Sequence, residues 1–311
     1  MTMKTTVLRD EWRFILILAT LSLGACDNNT TDLEANYHVS LGTSLAAGVQ
    51  VDANGVSQLT NDGYADQLFG IIKPLFDAIA PEIRELQPHK LGCPAETTIT
   101  MIAGGICPYA EGSQLDAAVA FLTAQGDKVE LITIDMGAND LLRGNCIVLD
   151  IAGGQLPTAV DFICIQDVSA QISANLSIIL TALSQAAAPG TLIVGMNYYN
   201  PFLALWLAGP EGQVLAMDSA TAVGIVNDGI DLTYAQFAVP VADVSGAFQS
   251  DDFVTQVSFP LPAPNDLVPV NVSLICLLTY MCQPPPVGPD IHANTAGYAK
   301  IAIAFVGILP Y

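Results

Sequence analysis

Three short stretches of the sequence carry side chains that suit acyl transfer. Ser44 lies in Gly-Thr-Ser-Leu directly after a β-prone run, and a serine at a strand-to-helix turn has an exposed hydroxyl. Asn139 lies in Gly-Ala-Asn-Asp after a second such run, where its amide can donate to a developing oxyanion. His292 precedes the last helical pattern and can act as a general base. Together these residues predict nucleophilic catalysis by serine.

The elements that must position these residues alternate between short apolar runs and longer helical repeats. We expect strands at residues 37–41, Val129–Asp135, Thr191–Met196 and 237–244, and helices at 61–86, 167–188 and 294–309. Pro240 predicts that the 237–244 strand lies at a sheet edge, because proline cannot donate to a neighbouring strand. This alternation indicates one α/β domain with a parallel sheet covered on both faces. Ligands bind at the carboxyl ends of such strands.

The segment Asp252–Pro289 does not fit this alternation, because it is rich in proline and large apolar residues. We expect it to form either the wall of an apolar pocket or a packing loop. The other two histidines, His38 and His89, are expected to be structural.

Taken in chain order, four blocks resemble those of the SGNH hydrolases, also called GDSL esterases or lipases. Gly42–Leu45 is similar to the Gly-Asp-Ser-Leu block, Leu91–Thr98 to the second block, Gly137–Asp140 to Gly-x-Asn-Asp, and Asp290–His292 to the final Asp/His block. The resemblance extends from Tyr37 to the C-terminus. It implies a three-layer, flavodoxin-like α/β sandwich whose parallel sheet has about five strands and is covered by helices on both faces.

The resemblance also implies a role for each matching residue. Ser44 would be the nucleophile, and His292 the base and then the acid. The oxyanion hole would combine the backbone amides of Ser44 and Ala95 with the side chain of Asn139. Supporting roles fall to Gly137, Asp140 and Pro289.

Three positions depart from the family pattern. Thr43 replaces the aspartate of Gly-Asp-Ser-Leu, and Ala95 replaces the usual glycine of the second block. A backbone N–H survives at Ala95, but a positive φ there would be strained. The family places its aspartate three residues before the histidine, where this chain has Pro289. Either Asp290 or the Pro289 carbonyl would therefore orient His292.

The N-terminus has the pattern of an export signal. Lys4, Arg9 and Arg13 precede the apolar run Phe14–Leu23. The following Leu-Gly-Ala-Cys resembles the bacterial lipobox, which implies lipidation of Cys26; a plain secretory signal with an incidental cysteine is the alternative. We expect a lipoprotein-type signal peptide at 1–25, a polar tether at 26–36 and the hydrolase domain at 37–311. The protein would be exported, as a periplasmic or cell-surface lipoprotein with a membrane anchor or as a secreted protein.

Six cysteines remain after Cys26, and they can pair in 15 ways. Sequential pairing would close three short loops. A zinc site is the alternative, although there is no Cys-x-x-Cys pair and only His89 lies near a cysteine in the sequence. The six cysteines also look like the three-disulfide pattern of secreted SGNH members, which implies the pairs Cys93–Cys107, Cys146–Cys164 and Cys276–Cys282.

Composition narrows the function classes. The 311 residues have a formal net charge of −21, only 13% charged residues and a mean hydropathy of +0.49. The Phe14–Leu23 run is shorter than the ~20 residues that span a bilayer, which argues against a polytopic membrane protein. The scarcity of Lys and Arg argues against nucleic-acid binding. We find no metal-ligand cluster, and this chemistry needs no cofactor.

We therefore expect a monomeric carboxylic ester hydrolase, an esterase or lipase that acts on a small-molecule or lipid ester through an acyl-enzyme. Two alternatives stay open. One is an O-acetyl esterase of carbohydrates, and the other is a non-catalytic surface lipoprotein on the same scaffold.

Overall fold

The computed structural model describes residues 33–79, 84–144, 146–147, 160–259 and 266–310. The predicted signal peptide, Cys26 and most of the predicted tether lie outside these residues. The strands of the described part are β1 (Glu34–Gly42), β2 (Val49–Val51), β3 (Ser57–Leu59), β4 (Arg84–Lys90), β5 (Val129–Asp135), β6 (Leu192–Met196), β7 (Val241–Ala242), β8 (Gln256–Phe259) and β9 (Asp266–Pro269).

The helices lie between and after these strands. They are α1 (Ser44–Ala47), α2 (Tyr64–Ile79), α3 (Thr98–Ala103), α4 (Gln114–Gln125), α5 (Ala138–Arg143), α6 (Phe162–Ala186), α7 (Pro210–Gln236), α8 (Val244–Ala247), α9 (Val270–Leu278) and α10 (Thr295–Val306). Two 3₁₀ segments, Gly126–Lys128 and Pro201–Ala208, complete the described elements.

The central sheet is parallel and has the strand order β4-β1-β5-β6-β7. The inner strands β1 and β5 are almost wholly buried, as in sheets covered on both faces, and β1 buries the polar side chains of Asn36, His38 and Ser40 as well as apolar ones. Helix α2 packs with α10, whereas α6 packs with both α4 and α7. The predicted α/β sandwich with a five-stranded parallel sheet is therefore confirmed.

Helix α6 is the only described helix with the length and apolar composition of a membrane span. Its side chains on one stripe, including Ile172, Leu176 and Leu183, are buried in the core of the domain. The helix begins after Asp161, whose side chain accepts from two backbone amides of the first turn. The start expected at 167 is therefore five residues too late.

Other element bounds also differ from expectation. Strand β1 begins at Glu34, so it takes in the end of the predicted tether. The helix expected over 61–86 ends at Ile79, and Arg84–Lys90 forms edge strand β4, in which His89 lies. The strand expected over 237–244 has only two residues, although its edge position, predicted from Pro240, is confirmed.

The described part of the proline-rich segment folds as the antiparallel β8–β9 hairpin followed by α9. Phe259, Val268 and Val272 form a second, small core against Trp206 of the 3₁₀ segment. The proline-rich segment therefore packs against the 3₁₀ segment Pro201–Ala208, as the packing-loop alternative predicts.

Three disulfides are present, Cys93–Cys107, Cys146–Cys164 and Cys276–Cys282. The first joins the loop after β4 to the loop after α3, and the last closes the turn between α9 and the segment that carries His292. Both therefore restrain backbone next to the candidate site.

Candidate active site

Ser44 lies at the carboxyl end of β1, where the chain turns into α1. Thr43 caps this helix, and its hydroxyl accepts from the Leu45 N–H at 3.3 Å. Gly42 has φ of 132°, and a side chain there would overlap the carboxyl group of Asp135. Glycine is therefore required at the position that lets β1 turn sharply and present Ser44.

His292 contacts both Ser44 and Asp290. The Ser44 hydroxyl lies 2.9 Å from Nε2 of His292, and Nδ1 of His292 lies 2.7 Å from Oδ1 of Asp290. The backbone N–H of His292 also donates to this oxygen, at 2.9 Å. Of the two partners that the sequence left open for Nδ1, the structure places Asp290 there. With its proton held at Nδ1, the imidazole presents the lone pair of Nε2 to the serine.

The pKa of Asp290 reflects this contact. Burial by itself would raise this pKa, but the hydrogen bonds and charge of His292 outweigh burial and hold it below its usual value. An ionised carboxylate at this position accepts the Nδ1 proton of His292 and holds the ring in one orientation.

The segment that carries Asp290 and His292 is fixed by its neighbours. The carbonyl of Tyr280 accepts from the Asp290 N–H at 3.3 Å, and the Tyr280 N–H donates to the His292 carbonyl at 3.1 Å. Tyr199, which follows β6, donates its hydroxyl to the carbonyl of Ile291 at 2.8 Å. These bonds hold the histidine over Ser44 from two sides.

Ala95 and Asn139 border the same cleft as Ser44 and His292. Ala95 has φ of 66°, a left-handed conformation that disfavours residues other than glycine. One N–H of the Asn139 amide donates to the Glu96 carbonyl at 2.9 Å. Since an amide group has two N–H donors, this bond orients Asn139 and leaves the second donor for a ligand.

Gly137 and Asp140 hold the Asn139 turn in place. Gly137 has φ of 129°, and it precedes α5. The Asp140 carboxylate accepts from the N–H of Thr98 at 2.9 Å and from its hydroxyl at 2.5 Å. This contact joins the Asn139 turn to the loop of Ala95, which is a supporting role.

Two buried polar residues at the site, Gln114 and Glu96, were not predicted. The Gln114 side chain accepts from the Gly42 N–H at 2.6 Å and donates to the Gly42 carbonyl at 3.0 Å. It also donates to the Glu96 carboxyl group at 3.2 Å, and burial raises the pKa of Glu96. Nothing in the sequence around Gln114 points to this contact, which spans 72 residues.

A third unpredicted residue is Asp135, which ends β5 and is fully buried. Burial raises its pKa to about 7, against hydrogen bonds from Thr43 and Tyr64 that act to lower it. A signal for this residue was present, since an ionisable side chain at the carboxyl end of a buried strand lies where α/β sheets bind ligands.

Two cavities meet at Ser44 and His292. The inner cavity has a volume of about 60 Å³ and is lined mainly by apolar and aromatic side chains, among them Leu142, Tyr199, Phe202, Val223, Val226 and Ile291. The outer cleft has a volume of about 270 Å³ and is lined by residues that include Val49, Ser57, Gln58, Leu59, Pro94 and Ala95. The serine therefore lies between a narrow apolar space and a wider one.

Among the residues that the structure describes, no group of three or more His, Cys, Asp and Glu side chains has the arrangement of a metal site.

The fold and this geometry can be compared with known proteins. No protein-family model matches the sequence, and no curated protein matches it. The extracellular lipase from Streptomyces rimosus has a similar structure, with a TM-score of 0.55, 17% identity, and coverage of 88% of this chain and 100% of the lipase. The chain has the SGNH hydrolase fold. At this identity the likeness establishes the SGNH fold and not the reaction.

Two further solved structures match with lower scores. The phospholipase A1 from Streptomyces albidoflavus NA297 has a TM-score of 0.41 at 15% identity and covers 77% of this chain and 94% of its own. The acetylxylan esterase Axe2 from Geobacillus stearothermophilus has a TM-score of 0.48 at 13% identity and covers 88% of this chain and 94% of its own.

Proposed function

We propose that this protein is a serine hydrolase that cleaves carboxylic esters through an acyl-enzyme on Ser44. The observation that carries the proposal is the line of contacts from Ser44 through His292 to Asp290, at 2.9 and 2.7 Å, at the mouth of an apolar cavity. The SGNH fold adds support, because it brings the four sequence blocks together at the carboxyl ends of the sheet strands.

In the first half of the reaction, Ser44 Oγ attacks the ester carbonyl carbon while Nε2 of His292 takes the hydroxyl proton. Asp290 stabilises the resulting imidazolium. The backbone amides of Ser44 and Ala95 and the side chain of Asn139 donate to the oxyanion. The carbon–oxygen bond to the alcohol then breaks, and His292 returns its proton to the leaving oxygen.

In the second half, a water molecule attacks the acyl group on Ser44. His292 takes a proton from this water and later gives it to Ser44 Oγ, which leaves as the acid is released. The cycle needs no group beyond these side chains, amides and water.

The two cavities support an assignment of the substrate's two ends. We propose that the acyl chain enters the inner cavity and the alcohol part lies in the outer cleft. The inner cavity is small, at about 60 Å³, whereas the outer cleft is wider, at about 270 Å³. We therefore expect the best substrates to have short acyl chains.

The decisive experiment compares wild type with Ser44→Ala on p-nitrophenyl esters of increasing acyl length. We expect Ser44→Ala to lose activity by about 10⁴-fold or more, and a fluorophosphonate probe to label Ser44 in the folded wild type. Ser184→Ala, an exposed serine on α6, is the control that should keep full activity. Retained turnover in Ser44→Ala, or an unlabelled Ser44, would favour the non-catalytic scaffold.

The acyl assignment has its own test. Val223, on α7, lines the inner cavity and is 6% exposed, so Val223→Phe should fill it. We expect roughly 10-fold loss on hexanoate relative to acetate. Val214→Phe, at a 52% exposed position of the same helix, should change neither substrate. Activity confined to acetate in wild type would favour the O-acetyl esterase alternative.

We also propose that the protein is exported and anchored through Cys26. The three disulfides support export, since disulfides persist in oxidising compartments. Cys26→Ser should move the full-length protein from the membrane fraction to the soluble fraction of the producing bacterium. An unchanged distribution would point to a plain secretory signal.

A further inference from the structure

Asp135 is a buried carboxyl group beneath the turn that carries Ser44, and the mechanism above does not use it. It is the last residue of β5 and pairs in register with Gly42 of β1. The Asp135 carboxyl occupies the space that a side chain on Gly42 would need. The close approach of the two strands therefore places the acid directly under the nucleophile turn.

Hydrogen bonds connect Asp135 to the residue before Ser44. Its Oδ2 accepts from the Thr43 hydroxyl at 2.6 Å and from the Thr43 N–H at 3.2 Å. The same hydroxyl accepts from Leu45 N–H, so its one proton must be the one donated to Asp135. Oδ1 accepts from the Tyr64 hydroxyl at 3.1 Å. Both oxygens of Asp135 are thus engaged, and the direction of the Thr43 hydroxyl bond is fixed.

The Thr43–Asp135 hydrogen bond involves one of the positions at which this chain departs from the family pattern. The block Gly-Thr-Ser-Leu has a hydroxyl where Gly-Asp-Ser-Leu has an acid, and here the acid comes from the neighbouring strand. Residues 43 and 135 form a hydroxyl–carboxyl pair, with the hydroxyl on the turn and the acid on the strand.

We propose that Asp135 is a positioning residue for ester hydrolysis, which acts through Thr43 to hold the turn that brings Ser44 Oγ to His292. This inference rests on the proposed function. Asp135 lines neither the inner cavity nor the outer cleft, so its effect should fall on turnover and not on substrate binding.

A double-mutant cycle of Thr43→Val and Asp135→Ala tests whether the two residues act as one unit. We expect each single variant to lower kcat by about 10²-fold, the cost of a small misplacement at a catalytic group, with the KM of Asp135→Ala changed by less than about threefold. The double variant should lose no more than the worse single variant, because a shared interaction can be removed only once. Losses that multiply would overturn the proposal.

Exchanging the two side chains gives a second test by rescue. Thr43→Asp alone places two carboxyl groups together and should be poorly active. Thr43→Asp combined with Asp135→Thr restores the pair in reverse order and should regain at least about 10-fold in kcat if the interaction is what matters. A folded exchange variant that stays as inactive as Thr43→Asp would also overturn the proposal.

Conservative variants test the same interaction if Asp135→Ala does not fold. Asp135→Asn retains an acceptor for the Thr43 hydroxyl, and Thr43→Ser retains the hydroxyl, so both should exceed Thr43→Val in kcat. Asp231→Asn, a half-buried acid on α7 that bonds Asn197 at 3.2 Å, is the matched control and should match wild type. Equal activity of Thr43→Val and Thr43→Ser would refute the role.

The two levels of proposal fail in different ways. A wild type whose ester hydrolysis is unaffected by Ser44→Ala counts against the proposed function. An enzyme that needs Ser44 but shows independent effects of Thr43 and Asp135 counts against the positioning role alone.

Discussion

His38 should make the protein sensitive to acid in a defined pH window. The side chain lies in β1, is 2% exposed, and has Nε2 3.0 Å from the Thr133 hydroxyl of β5. Burial lowers its pKa from 6.5 to about 4. The folded protein therefore resists protonation of His38 at a pH where the unfolded chain takes up the proton.

The magnitude follows from the difference between the two pKa values. The pKa of His38 is 6.5 in the unfolded chain and about 4 in the folded protein. This difference corresponds to on the order of 3 kcal/mol of unfolding free energy, at about 1.36 kcal/mol per pKa unit. Because the folded pKa is the lower one, this stability is fully present above pH 6.5 and is lost as the pH falls towards 4.

Asp135 should oppose this trend. Burial raises its pKa from 3.8 to about 7, so the folded state holds the proton more tightly and stability falls as the pH rises through this range. Between about pH 4 and pH 6.5, the contributions of His38 and Asp135 to the free energy of unfolding change with pH in opposite directions and partly cancel in wild type. Single variants are therefore needed to separate them.

The assay is urea unfolding of wild type, His38→Gln and Asp135→Asn at several pH values, with disulfides intact. The stability of wild type relative to His38→Gln should fall by about 3 kcal/mol between pH 7.5 and pH 4. Relative to Asp135→Asn, the stability of wild type should instead fall as the pH rises. A difference for His38→Gln that stays constant with pH would refute the reasoning.

Three further variants test the site and its support. Ala95→Gly should raise the free energy of unfolding by about 0.5–1 kcal/mol, because glycine adopts the left-handed conformation without strain. Ala238→Gly, at a residue with φ of 53° away from the site, is the matched control. A lower urea midpoint for Ala95→Gly would contradict this prediction. Asp290→Asn should lower kcat by about 10³–10⁴-fold with little change in KM, and a variant with near-normal kcat would contradict the role of the carboxylate. Replacing both cysteines of Cys93–Cys107 by alanine should cost about 3 kcal/mol of unfolding free energy, whereas an unchanged midpoint would show that this disulfide does not constrain the unfolded chain.

Local sequence patterns determined much of the framework. The bounds of β5 were predicted to the residue, because β-branched side chains, which favour strands, fill four of the seven positions of Val129–Asp135. The positions of Ser44 and Asn139 at strand ends followed from short blocks rich in small residues. Such signals lie within a few residues of the feature that they describe.

The predicted element bounds were wrong where pairing with a neighbouring strand, and not the local sequence, determines the strand. Strand β4 is polar and has no apolar alternation, and it exists because β1 pairs with it at the sheet edge. Strand β7 has only two residues, because only Val241 and Ala242 pair in register with β6.

The support of the site was decided by the tertiary structure alone. Asp135 reaches Thr43 across 92 residues and Gln114 reaches Gly42 across 72, and neither contact leaves a periodic or local trace in the sequence. The sequence supplied the reacting groups and the order in which they occur. The packing of β1 against β5, and of α4 against the turn, decided which buried polar groups hold those reacting groups in place.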